Sequence, residues 1–67
     1  MPFVTIRILA GHSQERKDEI SRRITAAISE VAELPLSATW VVFEDFTPMD
    51  WYIGGETVGE LKKAGKL

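Results

Sequence analysis

Cysteine is absent from this 67-residue chain, and histidine occurs only once, as His12. No disulfide can staple the fold, and no set of thiolates and imidazoles exists to hold a structural zinc ion. Charge of one sign is also scarce: the net charge is -2, which gives no basic footprint for nucleic acid. Long apolar runs are missing too, so no stretch has the roughly 20 residues needed to cross a bilayer. Nothing at the start of the given sequence resembles a signal peptide, and the expectation is a cytoplasmic protein without membrane or nucleic-acid partners. A chain of this length buries only about 60% of the surface that its unfolded form exposes, so it is marginal alone. With disulfides and metal set aside, oligomerisation is the remaining route to stability, and an apolar content of 45% suits it.

What is present reads as one small domain spanning residues 1–67. Phe3 to Leu9 is rich in β-branched and aromatic residues and predicts a strand. Val4, Ile6 and Ile8 share one face; Phe3, Thr5, Arg7 and Leu9 share the other. After Ala10-Gly11-His12 breaks the pattern, Ser13 predicts an N-cap for a helix from Gln14 to about Glu33. Ile20, Ile24, Ala27, Ile28 and Val31 form its apolar stripe, and Asp18–Arg22 and Glu19–Arg23 are spaced as ion pairs on the exposed side. The cations Arg16, Lys17, Arg22 and Arg23 do not form one stripe, so a self-paired, solvated surface is expected rather than an anion patch. Pro35 ends the helix near Leu34.

Thr39 to Asp45 predicts the second strand, with Trp40-Val41-Val42-Phe43 continuous enough to suggest burial on both faces. Strand, long helix and strand make a βαβ unit with parallel strands. The fold class expected is α+β: a β-α-β protomer whose two-stranded parallel sheet is completed by oligomerisation. One helix leaves the other sheet face and both edges bare, a second argument for assembly. Beyond a loop with Pro48, Trp51-Tyr52-Ile53 and Gly54-Gly55 predict a short strand entering a tight hairpin turn. Glu56 to Leu67 is polar, with Val58 and Leu61 isolated, and is expected to dock on a neighbouring subunit or to fray.

Pro2 poses a question of its own. Proline makes up about 5% of average sequence, so its position after Met1 is roughly a one-in-twenty event by chance. Its context changes that reading. Pro2, the strand ending in Leu9-Ala10-Gly11, Ser13 opening the helix, the Pro35-Leu36 break, the apolar second strand ending in Glu44, and Ile53-Gly54-Gly55-Glu56 follow one another along nearly the whole chain. In this order they resemble the 4-oxalocrotonate tautomerase family. The resemblance implies a protomer that pairs into a dimer, three dimers making a homohexamer. It also implies removal of Met1, an isomerase that needs no cofactor, and a small-molecule substrate. Pro2 is then the catalytic base, with Leu9, His12, Trp40 and Trp51 at positions that line the substrate site. An N-terminal proline is a secondary amine, whereas an internal one is an amide nitrogen without basicity. Such an amine starts near pKa ~7.7–8.0, and an apolar pocket pushes it down toward the free base at neutral pH. Phe3, Trp40 and Trp51 are candidates for those apolar surroundings.

The chain departs from the family at two places that matter. The resemblance calls for arginines at the positions held here by His12 and Trp40, where they grip a dicarboxylate keto acid. Losing one preorganised donor at a site of developing negative charge costs about 10²–10³ in rate. An imidazole is mostly neutral at neutral pH, and an indole offers one N–H without charge. A smaller, less charged or more aromatic carbonyl substrate is therefore expected. Arg7 and Arg16 are candidates for a replacement cation, although surface or interface pairing is the commoner role. The acids Glu44, Asp45 and Asp50 are more simply solvated than water-activating. Two other readings stay open here: a hetero-oligomer whose companion subunit supplies the arginines, and a fold retained as a binding or structural module without chemistry.

Overall fold

The β-branched opening segment is extended as expected: a computed structural model, which describes every residue from Met1 to Leu67, places strand β1 at Phe3–Leu9. Helix α1 follows at Gln14–Ala32, a single 3₁₀ turn at Leu36–Ala38, and strand β2 at Trp40–Phe46. β2 thus starts and ends one residue later than the sequence suggests. β1 and β2 pair in parallel, with Phe3 opposite Trp40, Arg7 opposite Glu44 and Leu9 opposite Phe46.

Ser13 caps α1, its hydroxyl accepting from the Arg16 N–H at 3.2 Å. The helix ends at Ala32, earlier than Pro35 alone requires, because Glu33 adopts a left-handed backbone with φ 56°. The N–H groups of Glu33 and Leu34 both turn back to the Ser29 carbonyl, which satisfies donors that would otherwise be orphaned. Ile20, Ile24 and Ile28 of the expected apolar stripe are half-buried, but Ala27 is exposed and Val31 is 85% exposed. The last turns of α1 overhang the sheet. Lys17 anchors the helix at its other end, pairing with Asp45 and lying 5.9 Å over the Phe43 ring. The expected Asp18–Arg22 pair does not form. Arg22 joins Arg23 on Glu19, while Asp18 accepts from the Gln14 side-chain amide at 2.9 Å.

α1 covers one face of the sheet only, the face of Val4, Ile6, Ile8, Val41 and Phe43, all half-buried. On the opposite face Phe3 and Trp40 stay 62% and 56% exposed, and Val42 is exposed as well. The continuous apolar run of β2 therefore does not reflect two covered faces within one chain. Both strands also keep a free edge.

Tyr52–Ile53 (β3) and Glu56–Thr57 (β4) form an antiparallel hairpin. Gly54 and Gly55 make its turn, with φ 60° and 85°, a pair of left-handed residues that L side chains would strain. The polar tail is neither frayed nor isolated. Val58–Lys63 is a helix, α2, and it holds the only two buried residues, Val58 and Leu61. Thr57 caps α2: its hydroxyl accepts from the Glu60 N–H and donates to the Glu60 carboxylate. The Gly59 N–H donates to the Pro48 carbonyl at 3.2 Å and the Val58 N–H to the Trp51 carbonyl at 2.8 Å, fastening α2 to the 47–51 connection. Hairpin and α2 thus make an arm beyond the sheet. The protomer measures 45 × 23 × 16 Å with a radius of gyration of 15.4 Å, against about 11 Å for a compact chain of this length.

Candidate active site

Pro2 sits half-buried at the head of β1. Its carbonyl accepts the Trp40 N–H at 3.0 Å, which fixes the proline against the first residue of β2. The rings of Phe3, the next residue, and Trp40 lie on the bare face with centroids 6.4 Å apart. The neighbouring Thr39 hydroxyl is buried and has no hydrogen-bond partner within the chain. Met1 is 85% exposed, so nothing in the protomer obstructs its removal. While Met1 is attached, the Pro2 nitrogen is an amide and cannot accept a proton.

The remaining candidates gather elsewhere. Leu9 closes β1 opposite Phe46, and His12 lies exposed in the loop after it. Seven residues of strand separate Pro2 from the end of β1, about 23 Å at the usual rise. A shallow hollow joins His12 to Arg16, Glu19, Ile20 and Arg23. Two hydrogen bonds, first from Arg23 and then from Arg22, hold the Glu19 carboxyl below its ordinary value. Trp51 stands in a separate depression of about 260 Å³ with Arg7, Phe46, Asp50 and Tyr52. Phe46 meets Trp51 edge-on, centroids 5.9 Å apart at 86°, so the indole is held by an aromatic wall. Within one chain the five sequence candidates therefore fall into two groups: Pro2 with Trp40 at one end of the sheet, and Leu9, His12 and Trp51 toward the other.

The structure adds residues that the sequence reading passed over. Phe46, read as a loop residue, belongs to β2 and alternates with Trp40, Val42 and Glu44 on the bare face. That period of two was the available signal. Tyr52 joins Trp51 because β3 begins there. Arg7, named only as a candidate cation, shares the depression of Trp51.

Three comparisons bear on this arrangement. A family model described as "Tautomerase enzyme" matches residues 2–61. A probable tautomerase of Streptococcus mutans serotype c is 38% identical over 65 residues, covering 97% of this chain and all of the relative. Among solved structures, TomN, a 4-oxalocrotonate tautomerase homologue in the tomaymycin biosynthetic pathway, superposes with a TM-score of 0.88 at 29% identity. That match covers 92% of this chain and 95% of TomN. A heterohexameric 4-oxalocrotonate tautomerase from Chloroflexus aurantiacus J-10-fl gives 0.84 at 31% identity, over 91% and 98% of the two chains. A parallel β-α-β sheet with a C-terminal hairpin, a proline after Met1 and these matches over nearly the full length lead to one assignment: the chain belongs to the 4-oxalocrotonate tautomerase family.

Proposed function

We propose that this protein is a cofactor-independent isomerase that moves a proton between the enol and keto forms of a small 2-hydroxy/2-oxo unsaturated acid or an arylpyruvate, acting in the cytoplasm as a single-domain homo-oligomer. The observation that carries this reading is Pro2, retained at the head of β1 in a family member, next in sequence to Phe3 and held through its carbonyl by the Trp40 N–H. With Met1 removed, the Pro2 nitrogen is a secondary amine whose apolar neighbours favour the uncharged form. It takes the proton from the 2-hydroxyl of the enol and returns it to C3, so that the enol becomes a ketone with no net gain or loss of protons.

The substrate preference follows from the replaced arginines. With His12 and Trp40 at those positions, a second carboxylate finds no arginine there, while an aryl or alkenyl group finds indole surface. The assembly that brings Pro2 to the other candidates is a hexamer of three dimers, as the family resemblance implies. The one sheet face and the two strand edges left open in the protomer support that reading. The test is ketonisation of phenylenolpyruvate and 2-hydroxymuconate by the mature protein beside its Pro2→Ala variant. The variant is expected to lose at least about 10²-fold in kcat/KM, the usual worth of a general base. Equal rates for the two proteins on both substrates sink the isomerase reading.

A companion subunit is the second reading, favoured by the heterohexameric relative from Chloroflexus aurantiacus and by the missing cations. The same assay separates it: turnover by this chain expressed alone excludes a required companion.

A further inference from the structure

Arg7 is the one arginine that shares a hollow with Phe, Trp or Tyr side chains. The other arginines and Lys17 are placed differently. Arg22 and Arg23 are committed to Glu19, Lys17 is committed to Asp45, and Arg16 lies in a shallow hollow with Arg23, His12 and Glu19 and without a Phe, Trp or Tyr wall. Arg7 reaches Glu44 only through its Nε, at 3.7 Å, beyond hydrogen-bond distance. Its terminal nitrogens have no partner in the chain, and the side chain is 71% exposed. Around it, Phe46, Trp51 and Tyr52 supply a wall, with Trp51 braced edge-on by Phe46.

From this placement we infer that Arg7, together with Trp51 and Tyr52, forms a subsite for a monocarboxylate carrying an arene or a conjugated chain, replacing the charge missing at positions 12 and 40. The guanidinium fork takes the carboxylate through its free terminal nitrogens. The planar remainder lies along the indole and phenol. Asp50 on the same rim, with Glu44 behind Arg7, adds negative charge that disfavours a second carboxylate. The subsite thus selects arylpyruvate-like monoanions over dicarboxylates. Arg7 is five residues from Pro2 along β1, about 17 Å at the usual rise, so the base that meets a substrate held here comes from a second copy of the chain. The inference deepens the isomerase reading and rests on it for the identity of the base alone.

Calorimetric titration with cinnamate, an arene monocarboxylate that cannot enolise, tests the subsite without turnover. Arg7→Gln is expected to weaken cinnamate binding about 10- to 100-fold, the worth of a charge-assisted contact. Unchanged affinity overturns the inference. Glu44→Gln breaks the same Arg7–Glu44 pair but keeps the cation, and is expected to bind cinnamate as the unsubstituted protein does or tighter. A loss equal to that of Arg7→Gln assigns the effect to the broken pair and also overturns it. Dianionic trans,trans-muconate is expected to bind the unsubstituted protein more weakly than cinnamate; tighter binding defeats the charge selection. If Arg7→Gln fails to assemble, the unsubstituted protein decides. Cinnamate affinity must fall as salt rises, and salt independence rules the cation out. Arg7-dependent binding with no turnover would keep the subsite and remove the isomerase reading, whereas turnover with Arg7-independent binding does the reverse.

Discussion

Glu19 is the residue at which charge and fold meet most clearly. It accepts from Arg23 and Arg22, and these hydrogen bonds hold its carboxyl below the ordinary value of 4.5. A carboxyl lowered in the folded state contributes stability above its unfolded value, and that contribution is lost as pH falls through the folded-state value. Glu19→Gln is therefore expected to flatten the loss of thermal stability below about pH 4.5. Thermal melts of both proteins between pH 3 and pH 7 measure it, and identical pH slopes contradict it. The effect is small, because the group is exposed and the pair lies in water. Other residue-scale features differed in how legible they were. Pro2 stood out because an amino-terminal amine has chemistry that no internal proline has. The partner of Asp18 was not readable, because i+3 and i+4 neighbours compete for one arginine and Glu19 offers two oxygens. Arg7 was visible only as a charge; its aromatic surroundings come from Phe46, Trp51 and Tyr52, which are remote in sequence and converge only once β2 and the hairpin are in place.

Among the elements, β1, α1 and β2 were legible within a residue or two, because a period of two and a period of 3.6 are both strong in this chain. Helix α2 was not. Its six residues carry only two apolar positions, too few for a helical stripe to register. A signal was nonetheless present in Thr57 and Glu60, which have the spacing of a capping box. Thr57→Ala is expected to cost about 1 kcal/mol, the usual worth of an N-cap hydroxyl. Thr57→Ser should restore most of it in chemical denaturation, and an alanine variant as stable as the parent would show that the cap contributes nothing. The bare face of the sheet follows the same logic in reverse. A run such as Trp40-Val41-Val42-Phe43 suggested cover on both sides, whereas this chain covers only the Val41 and Phe43 side.

At the scale of the whole molecule, the protomer is too long and too open to be a finished object. Only two residues are buried, while Phe3, Trp40 and Val42 stand exposed on one sheet face. Under the proposed function, the distance between Pro2 and the depression of Arg7 gives this openness a meaning: one site would draw on two chains. Co-expression of Pro2→Ala chains with Arg7→Gln chains tests it. Mixed assemblies contain some sites with both residues intact only if those residues come from different chains. Phenylenolpyruvate turnover at low substrate is then expected to exceed that of either variant alone. No gain on mixing would place both residues on the same chain.

The location of the two buried residues has a temporal consequence. Val58 and Leu61 lie in the arm, so a protomer that leaves the proposed assembly keeps the arm anchored while its sheet loses its cover. The departing chain keeps only the half-buried layer between α1 and one sheet face to fall back on, and a free subunit is then a costly intermediate. Exchange between such assemblies is accordingly expected to be slow, with the composition of each particle set when its chains are made. A cell producing this chain beside a close relative would fix the mixture at synthesis, and the particles would then keep a record of that moment.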